Sequence, residues 1–595
     1  MKRALVLLAS TGLLAGCATV PTSGPIRQGS QGGLNGSSQG VVVEAQKPRE
    51  NAAQLPIVNG FLEAMSDSRA FDVAREYMTA DAAARWKPEQ KISVYDQTSA
   101  TAVSRGADQN IRLDAPLLGT IDQRGSWTPA ANNQSIHFVF KLQKVSGQWR
   151  VANFPDGVFL GRNQLETNMA PRNLYFLSPS REMLVPDPVF MPITLPAGQA
   201  ATQLVQGLLK GPTDRLGNGV SSAAPPGTQV NVSVPIEDSV ATVALSSDAA
   251  SGLGDADRRL LAAQIVWTLR PITTRVRITV NGAPLIDGEP DEQSFSNFIH
   301  FDPTVPNGQL KQLYVVQNGK IRQLFGLDGS QEIKTLPLDG SLLYGYAAQS
   351  FAVSLQADYG AIVTRCGGDC KKCQKGSLCV AYARLNPKDK SEKSVEIQTE
   401  GTVLRPSFDW QGNLWIVDRA NSADPRLRVR TVDGKVTEIV TDFHGAHPTV
   451  FRIAPDGVRA LLVMKKGAAT SVQTGTVAPD DKKVLALSRI SSLQLPLTDI
   501  SDASWYHADE IMVTGASGAG PNRQPWEVNV DGSQPRLVVG AGEWDAVALA
   551  ASPNLEALTV IRDANGLLHW QSKDLSWFTL QEEDSPRNSQ PVYPG

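Results

Sequence analysis

Cysteine is nearly absent from this chain, with five residues in 595, too few for a disulfide framework to hold so long a protein together. Past the N-terminus no run of 18 consecutive apolar residues occurs, which excludes further membrane-spanning helices. The basic excess of a nucleic-acid binder is missing as well, since the formal net charge is −3. Enzyme signatures are lacking: there is no Walker A motif, no H-E-x-x-H and no G-x-G-x-x-G. The chain therefore reads as a non-enzyme, although paired carboxylates would leave no local signature. Aromatic residues make up only 6%, against 50 glycines and 38 prolines, a balance that suits many short strands and tight turns. The length allows several domains, each with its own core.

Hydropathy changes at the N-terminus. Lys2 and Arg3 precede an apolar run from Ala4 to Leu14, far shorter than the about 20 residues that span a bilayer, so it reads as a signal-peptide core. It ends in Leu14-Ala15-Gly16-Cys17, the pattern of a bacterial lipobox, in which the Cys17 thiol receives diacylglycerol. Residues 1–16 are then a removed signal, and the mature chain begins at Cys17. Each buried acyl methylene contributes about 0.8 kcal/mol, so two or three chains on one residue anchor stably. The expected location is the extracytoplasmic face of the cell membrane, lipid-anchored, with no cofactor beyond the acyl lipid. Residues 17–50 read as a tether, because Thr22 to Gly40 has almost no apolar side chains and cannot offset the entropy of ordering. A random coil of this length reaches roughly 30 Å.

Residues 51–168 read as an α+β domain. Val58, Phe61, Leu62 and Met65 recur at helical spacing. Ser68 is placed to cap a second helix with Phe71, Ala74 and Met78 on one face, and Thr79 to cap a third that stops at Pro88. Farther on, Ile136, Phe138 and Phe140 alternate along a strand, and Ser146-Gly147 marks a turn. Helices followed by a curved antiparallel sheet resemble the cone-shaped nuclear-transport-factor-2-like (NTF2-like) fold.

Residues 169–301 read as a second α+β domain. A helix carries Leu204, Val205, Leu208 and Leu209 on one stripe and is stopped by Gly211-Pro212. The strand-like NVSVPIEDSVATVALS, the helical RRLLAAQIVWTLR and the strand RVRITVNGAPL follow. The segments KGP, PPGTQVNVSV, VATVAL and VNGAPL stand in the order found in the sporulation and germination (GerMN) domain, which this region resembles.

From residue 302 to 595 helical periodicity disappears. Turn-plus-apolar segments start at Ser407, Phe451, Ala503 and Ala548, a period of about 40–50 residues that signals an all-β propeller. LYVVQNGKIRQLF and SFAVSLQADYGAIVTR read as degenerate first blades, for five or six in all. Asp433-Gly434, Asp531-Gly532 and the Ala454-Pro455-Asp456-Gly457 segment suit tight turns within blades.

Candidate ligand groups are few. His444 and His447 have x₂ spacing but no local third ligand, so they read as turn histidines and not as a metal site. Asp287, Glu289, Asp291 and Glu292 read as a solvated acidic face before a weak calcium site. Cys366, Cys370, Cys373 and Cys379 could hold zinc through four thiolates or form two disulfides. Outside the cytoplasm oxidation favours the disulfides, with three pairings open. Either state would stiffen a loop exposing Lys371, Lys372 and Lys375.

Taken together, the lipobox, the tether and the three domains resemble the actinobacterial lipoprotein LpqB family, most closely in GFLEAMSDSRAFDVAREYMTADAAARW. The resemblance implies an accessory regulator of a two-component system. It would contact the extracytoplasmic domain of the histidine kinase MtrB and modulate phosphorylation of MtrA, with effects on cell-wall homeostasis and division. The alternative is a wall glycan- or peptide-binding module, or a scaffold for wall enzymes. The four-cysteine insertion has no counterpart in that resemblance.

Overall fold

The helical spacing of the first domain is realised as three short helices, Gln54–Ala64, Phe71–Glu76 and Ala80–Arg85. The computed structural model describes residues 45–67, 71–104, 110–131, 133–250, 252–304, 308–329, 332–367, 376–389, 391–518, 520–541, 543–580 and 589–595. The lipobox, the tether to residue 44, Ser68, Cys370, Cys373 and the three loop lysines lie outside the described residues. Ala45–Gly595 forms one compact unit.

The first helix buries Ile57, Val58, Phe61 and Leu62. Thr79 caps the third helix by accepting a hydrogen bond from the Ala82 N–H, which satisfies a donor that the first turn leaves unpaired. The second helix ends before Met78, which bridges Val151 instead. A long strand, Ile111–Ile121, pairs with Ile92–Tyr95, Thr101–Ser104, Trp127–Pro129 and Ser135–Phe140. Phe61 meets Trp86, Phe140 and Phe154 at tilted or edge-on angles, an arrangement that favours ring edges against ring faces.

In the second domain, strands Val240–Leu245 and Arg275–Val280 run parallel. Parallel neighbours need a crossover, here the helix Asp255–Leu269. Its residues Leu260 to Leu269 are all buried, including Gln264, whose amide accepts from Ala223 N–H and donates to the Tyr175 carbonyl. The helix Ala197–Leu209 buries Leu204, Val205 and Leu208 as its stripe requires. The strand expected through Asn231–Val234 does not form, and strand structure begins only at Ile236–Glu237. Pro235 has no N–H to donate to a ladder, Val234 N–H is taken by the Thr202 hydroxyl, and Val232 is 86% exposed.

The C-terminal domain is a six-bladed propeller of four-stranded antiparallel sheets. Blade 1 takes Leu313–Gln317, Lys320–Phe325 and Lys334–Pro337 and is completed on its inner edge by Gln590–Val592, so the two ends of the domain close the ring. The inner strands of blades 2 to 6 are Ser350–Val353, Ser407–Phe408, His447–Ile453, Leu497–Trp505 and Ala546–Ala550. The four repeat starts lie on the inner strands of blades 3 to 6, and the two segments read as degenerate are blades 1 and 2. Blades seal against each other through apolar faces, as where Trp415, Val417 and Leu427 meet Phe451, Ile453 and Leu462. Gly532 turns the last hairpin of blade 5 at φ +85°, where a Cβ would also stand 2.6 Å from the Leu493 carbonyl oxygen.

Candidate functional site

The loop between helix Ala197–Leu209 and residue 220 joins all three domains. Pro212 and Gly211 stop the helix, and the chain that follows, Thr213 to Gly219, carries no long apolar side chain except Leu216. Asp187, wholly buried on strand Leu184–Pro192, receives hydrogen bonds from the Thr213 N–H and hydroxyl, both at 2.7 Å. Burial holds its carboxyl above the ordinary range, against the opposing pull of those two donors. With its base fixed in this way, the loop presents backbone carbonyls on both sides.

Toward the first domain, Arg124 donates to the carbonyls of Gly211 and Pro212, and Arg215 donates to the Trp127 carbonyl at 2.9 Å. Toward blade 4, the Thr476 hydroxyl donates to the Arg215 carbonyl at 2.7 Å, Asn218 donates to the Pro479 carbonyl at 2.7 Å, and Arg489 donates to the Asn218 side-chain oxygen at 2.9 Å. Gly219 makes this approach close: a Cβ there would stand 2.5 Å from Thr476 Cγ2. Between the three domains lies a cavity of about 210 Å³, with Arg124, Arg215, Arg459, Arg489, Asp122 and Asp214 on its wall. A second strut joins the middle domain to blade 5, where Asn173 donates to Asp509. In the sequence only Gly211-Pro212 marked the start of this loop, as a helix stop.

The residues singled out from sequence fall elsewhere. Cys366 and Cys379 lie side by side at the hairpin of blade 2, both buried and, among the described residues, not joined in a disulfide. Cys366 donates its N–H to the Ser377 carbonyl. Burial, reinforced by a hydrogen bond to Cys366, pushes the Cys379 thiol well up, so it is held in the protonated form. His447 sits on the inner strand of blade 4, while His444 is exposed in a turn against Asp442. Among the described residues no three His, Cys, Asp or Glu side chains converge as metal ligands. The acidic run is tied into ion pairs: Asp287 with Arg258, Glu289 with Arg259, and Glu292 with Arg275 and Arg277. Those partners give the run a structural use within the second domain.

Comparison with known proteins follows the same three-part division. The model of the lipoprotein LpqB N-terminal domain matches residues 47–166, that of the sporulation and spore germination domain residues 173–286, and that of the lipoprotein LpqB beta-propeller domain residues 326–594. Lipoprotein LpqB of Streptomyces coelicolor is 30% identical, covering 98% of this chain and 96% of its own. The Cutibacterium acnes protein of that name is 28% identical over 97% of both chains, and the Mycobacterium bovis BCG protein 25% over 93% of both. Among solved structures, TolB from Acinetobacter baumannii aligns at 14% identity with a TM-score of 0.34 over 58% of this chain and 87% of that one, too remote a likeness to bear on function. No helix among the described residues is long and apolar enough to cross a membrane, and the relatives are lipoproteins, which associate with membranes through a lipid anchor. Along nearly its whole length, therefore, the chain belongs to the LpqB lipoprotein family.

Proposed function

We propose that this protein is an accessory regulator of a two-component system. Acylated at Cys17 and held on the extracytoplasmic face of the cell membrane, it contacts the sensor domain of the histidine kinase MtrB and thereby changes the phosphorylation of MtrA. The observation that carries this reading is the interlock at residues 211–219, which couples both α+β domains to blade 4. A body joined in this way can favour one conformation of a partner, because it does not yield its own geometry on contact. The shift it produces equals its differential affinity for the two sensor states, so a tenfold preference moves the equilibrium by about 1.4 kcal/mol. A tether with a reach of roughly 30 Å keeps the domains near any sensor in the same membrane and raises their effective concentration. Family membership and the lack of a local catalytic signature support the same reading.

The test is reconstitution. MtrB in vesicles with its sensor domain facing the lumen and MtrA outside is assayed for phosphotransfer with the acylated protein enclosed in the lumen, with the soluble protein lacking its lipid enclosed there, and with neither. Regulation predicts a change in phospho-MtrA that is larger for the acylated form at equal total concentration. Identical rates in all three vesicle preparations would reject the proposal and favour a wall-binding role.

A further inference from the structure

The chain enters its folded body beside a hairpin of the first domain. The Gln46 carbonyl accepts a hydrogen bond from the Tyr77 hydroxyl, and Lys47 pairs with Glu76 at 2.9 Å. Asn51 exchanges hydrogen bonds with the Gln148 side chain, donating its N–H at 2.6 Å and accepting at its amide oxygen at 3.2 Å. Gln148 belongs to the hairpin of Leu142–Val145 and Gln148–Val151, a two-stranded sheet of its own. The chain turns through Ser146 and Gly147 at φ +50° and +80°, as a two-residue hairpin turn requires. A Cβ on Gly147 would meet nothing within 4 Å, and Val145 is 47% exposed, so the tip stands in open space with an apolar side chain on it.

Cations line the strands behind the tip. Lys144 is exposed and lies 5.1 Å over the Trp149 ring, a contact that holds the ammonium against the ring face. Lys141 is exposed and Arg150 half-buried on the same hairpin, and among the described residues none of these three forms an ion pair with a carboxylate. Lys47 and Arg49 add two more from the entering segment, whereas the carboxylates tied to this surface are Glu50, Glu63 and Glu76. Cations thus outnumber carboxylates here, on a chain whose formal net charge is −3.

The 28 residues from Cys17 to Glu44 make a coil that reaches roughly 30 Å, whereas a folded body as long as residues 45–595 spans about 60 Å. An anchor at Cys17 therefore keeps the face around Ala45 nearest the bilayer, and the hairpin lies on that face. We propose that the hairpin Leu142–Val151, with residues 45–51 beside it, docks on the anionic surface of the bilayer, a reading that rests on the acylation of Cys17 proposed above. Lys141, Lys144 and Arg150 meet the lipid phosphates while Val145 enters the headgroup layer, so the body stands on the membrane in one orientation.

Cosedimentation of the lipid-free chain, residues 18–595, with vesicles tests this at low ionic strength and millimolar lipid. Lacking the acyl group, this form reports on the hairpin whether or not Cys17 is the anchor. The expected result is binding to vesicles of phosphatidylglycerol and phosphatidylcholine that vesicles of phosphatidylcholine alone do not give. A basic residue near an anionic bilayer contributes about fivefold to partitioning, so Lys144→Glu should weaken binding at least about fivefold. Lys482→Glu, in an exposed turn of blade 4, makes the same change of net charge and should bind as wild type. Equal sedimentation with the two kinds of vesicle would overturn the proposal, and so would equal losses in the two variants. Self-association of the chain that Lys144→Glu abolishes, without vesicle binding, would give the hairpin to a second copy and overturn it too.

Discussion

Replacing Gly219 with alanine should loosen the joint between the middle domain and the propeller while leaving each of them folded. Gly219 has ordinary backbone angles, so the substitution introduces no backbone strain and its effect is steric. The new Cβ would lie 2.5 Å from Thr476 Cγ2 and 3.0 Å from Val458 Cγ1, both closer than carbon atoms approach. Overpacking of this kind costs about 1–3 kcal/mol. The three hydrogen bonds that hold the loop to blade 4 together contribute about 1.5–4.5 kcal/mol, at about 0.5–1.5 each. The two quantities are comparable, so the clash consumes most of the docking energy. Calorimetric unfolding of the full chain should show the middle-domain transition separating from that of the propeller and falling by about 2–4 °C per kcal/mol lost. Adding Thr476→Ser removes the clashing methyl and keeps the hydroxyl that donates to the Arg215 carbonyl, so the double variant should recover more than half of the shift. An unchanged melting profile for Gly219→Ala, or no recovery in the double variant, would refute this view of the interlock.

Other expectations follow from single groups. Asp418 is wholly buried between Arg426 and Arg428 in blade 3, and Arg426 also pairs with Glu400, so Asp418→Ala should cost about 3–5 kcal/mol chiefly by leaving Arg428 without a carboxylate, read from urea unfolding. Asp187 has a folded pKa raised above its ordinary 3.8, mainly by burial. Its contribution is therefore full below pH 3.8 and is lost as pH rises through the folded value; the stability difference between wild type and Asp187→Asn should shift toward the variant over that range in pH-dependent unfolding. Cys17→Ser should accumulate as unprocessed precursor without lipid, seen as a larger mass on intact-protein mass spectrometry, and acylation of that variant would dismiss the lipobox reading.

Much of the fold was legible because its repeating units carry local chemistry. The residues Ser407, Phe451, Ala503 and Ala548 mark inner strands, where burial on both faces demands an apolar run after a turn. Thr79 was readable as a cap because the side chain works within its own helix. Asn231–Val234 misled because its alternation is that of a strand, while the hydroxyl that takes the Val234 N–H comes from Thr202 on a helix. The interlock stayed hidden for the same reason on a larger scale: Arg215 and Thr476 stand 261 positions apart, and neither has a local signature. The cysteine cluster was visible as a spacing, and Cys366 and Cys379 do come together, through ordinary antiparallel pairing of Thr364 with Cys379.

Titration calorimetry of the soluble protein, residues 18–595, against the isolated extracytoplasmic domain of MtrB from the same organism at physiological salt decides whether the proposed contact exists. The account predicts saturable binding that weakens in Gly219→Ala and returns with Thr476→Ser, because the kinase meets a body whose domains are locked together. Absence of binding up to high micromolar, with both proteins folded, would contradict it.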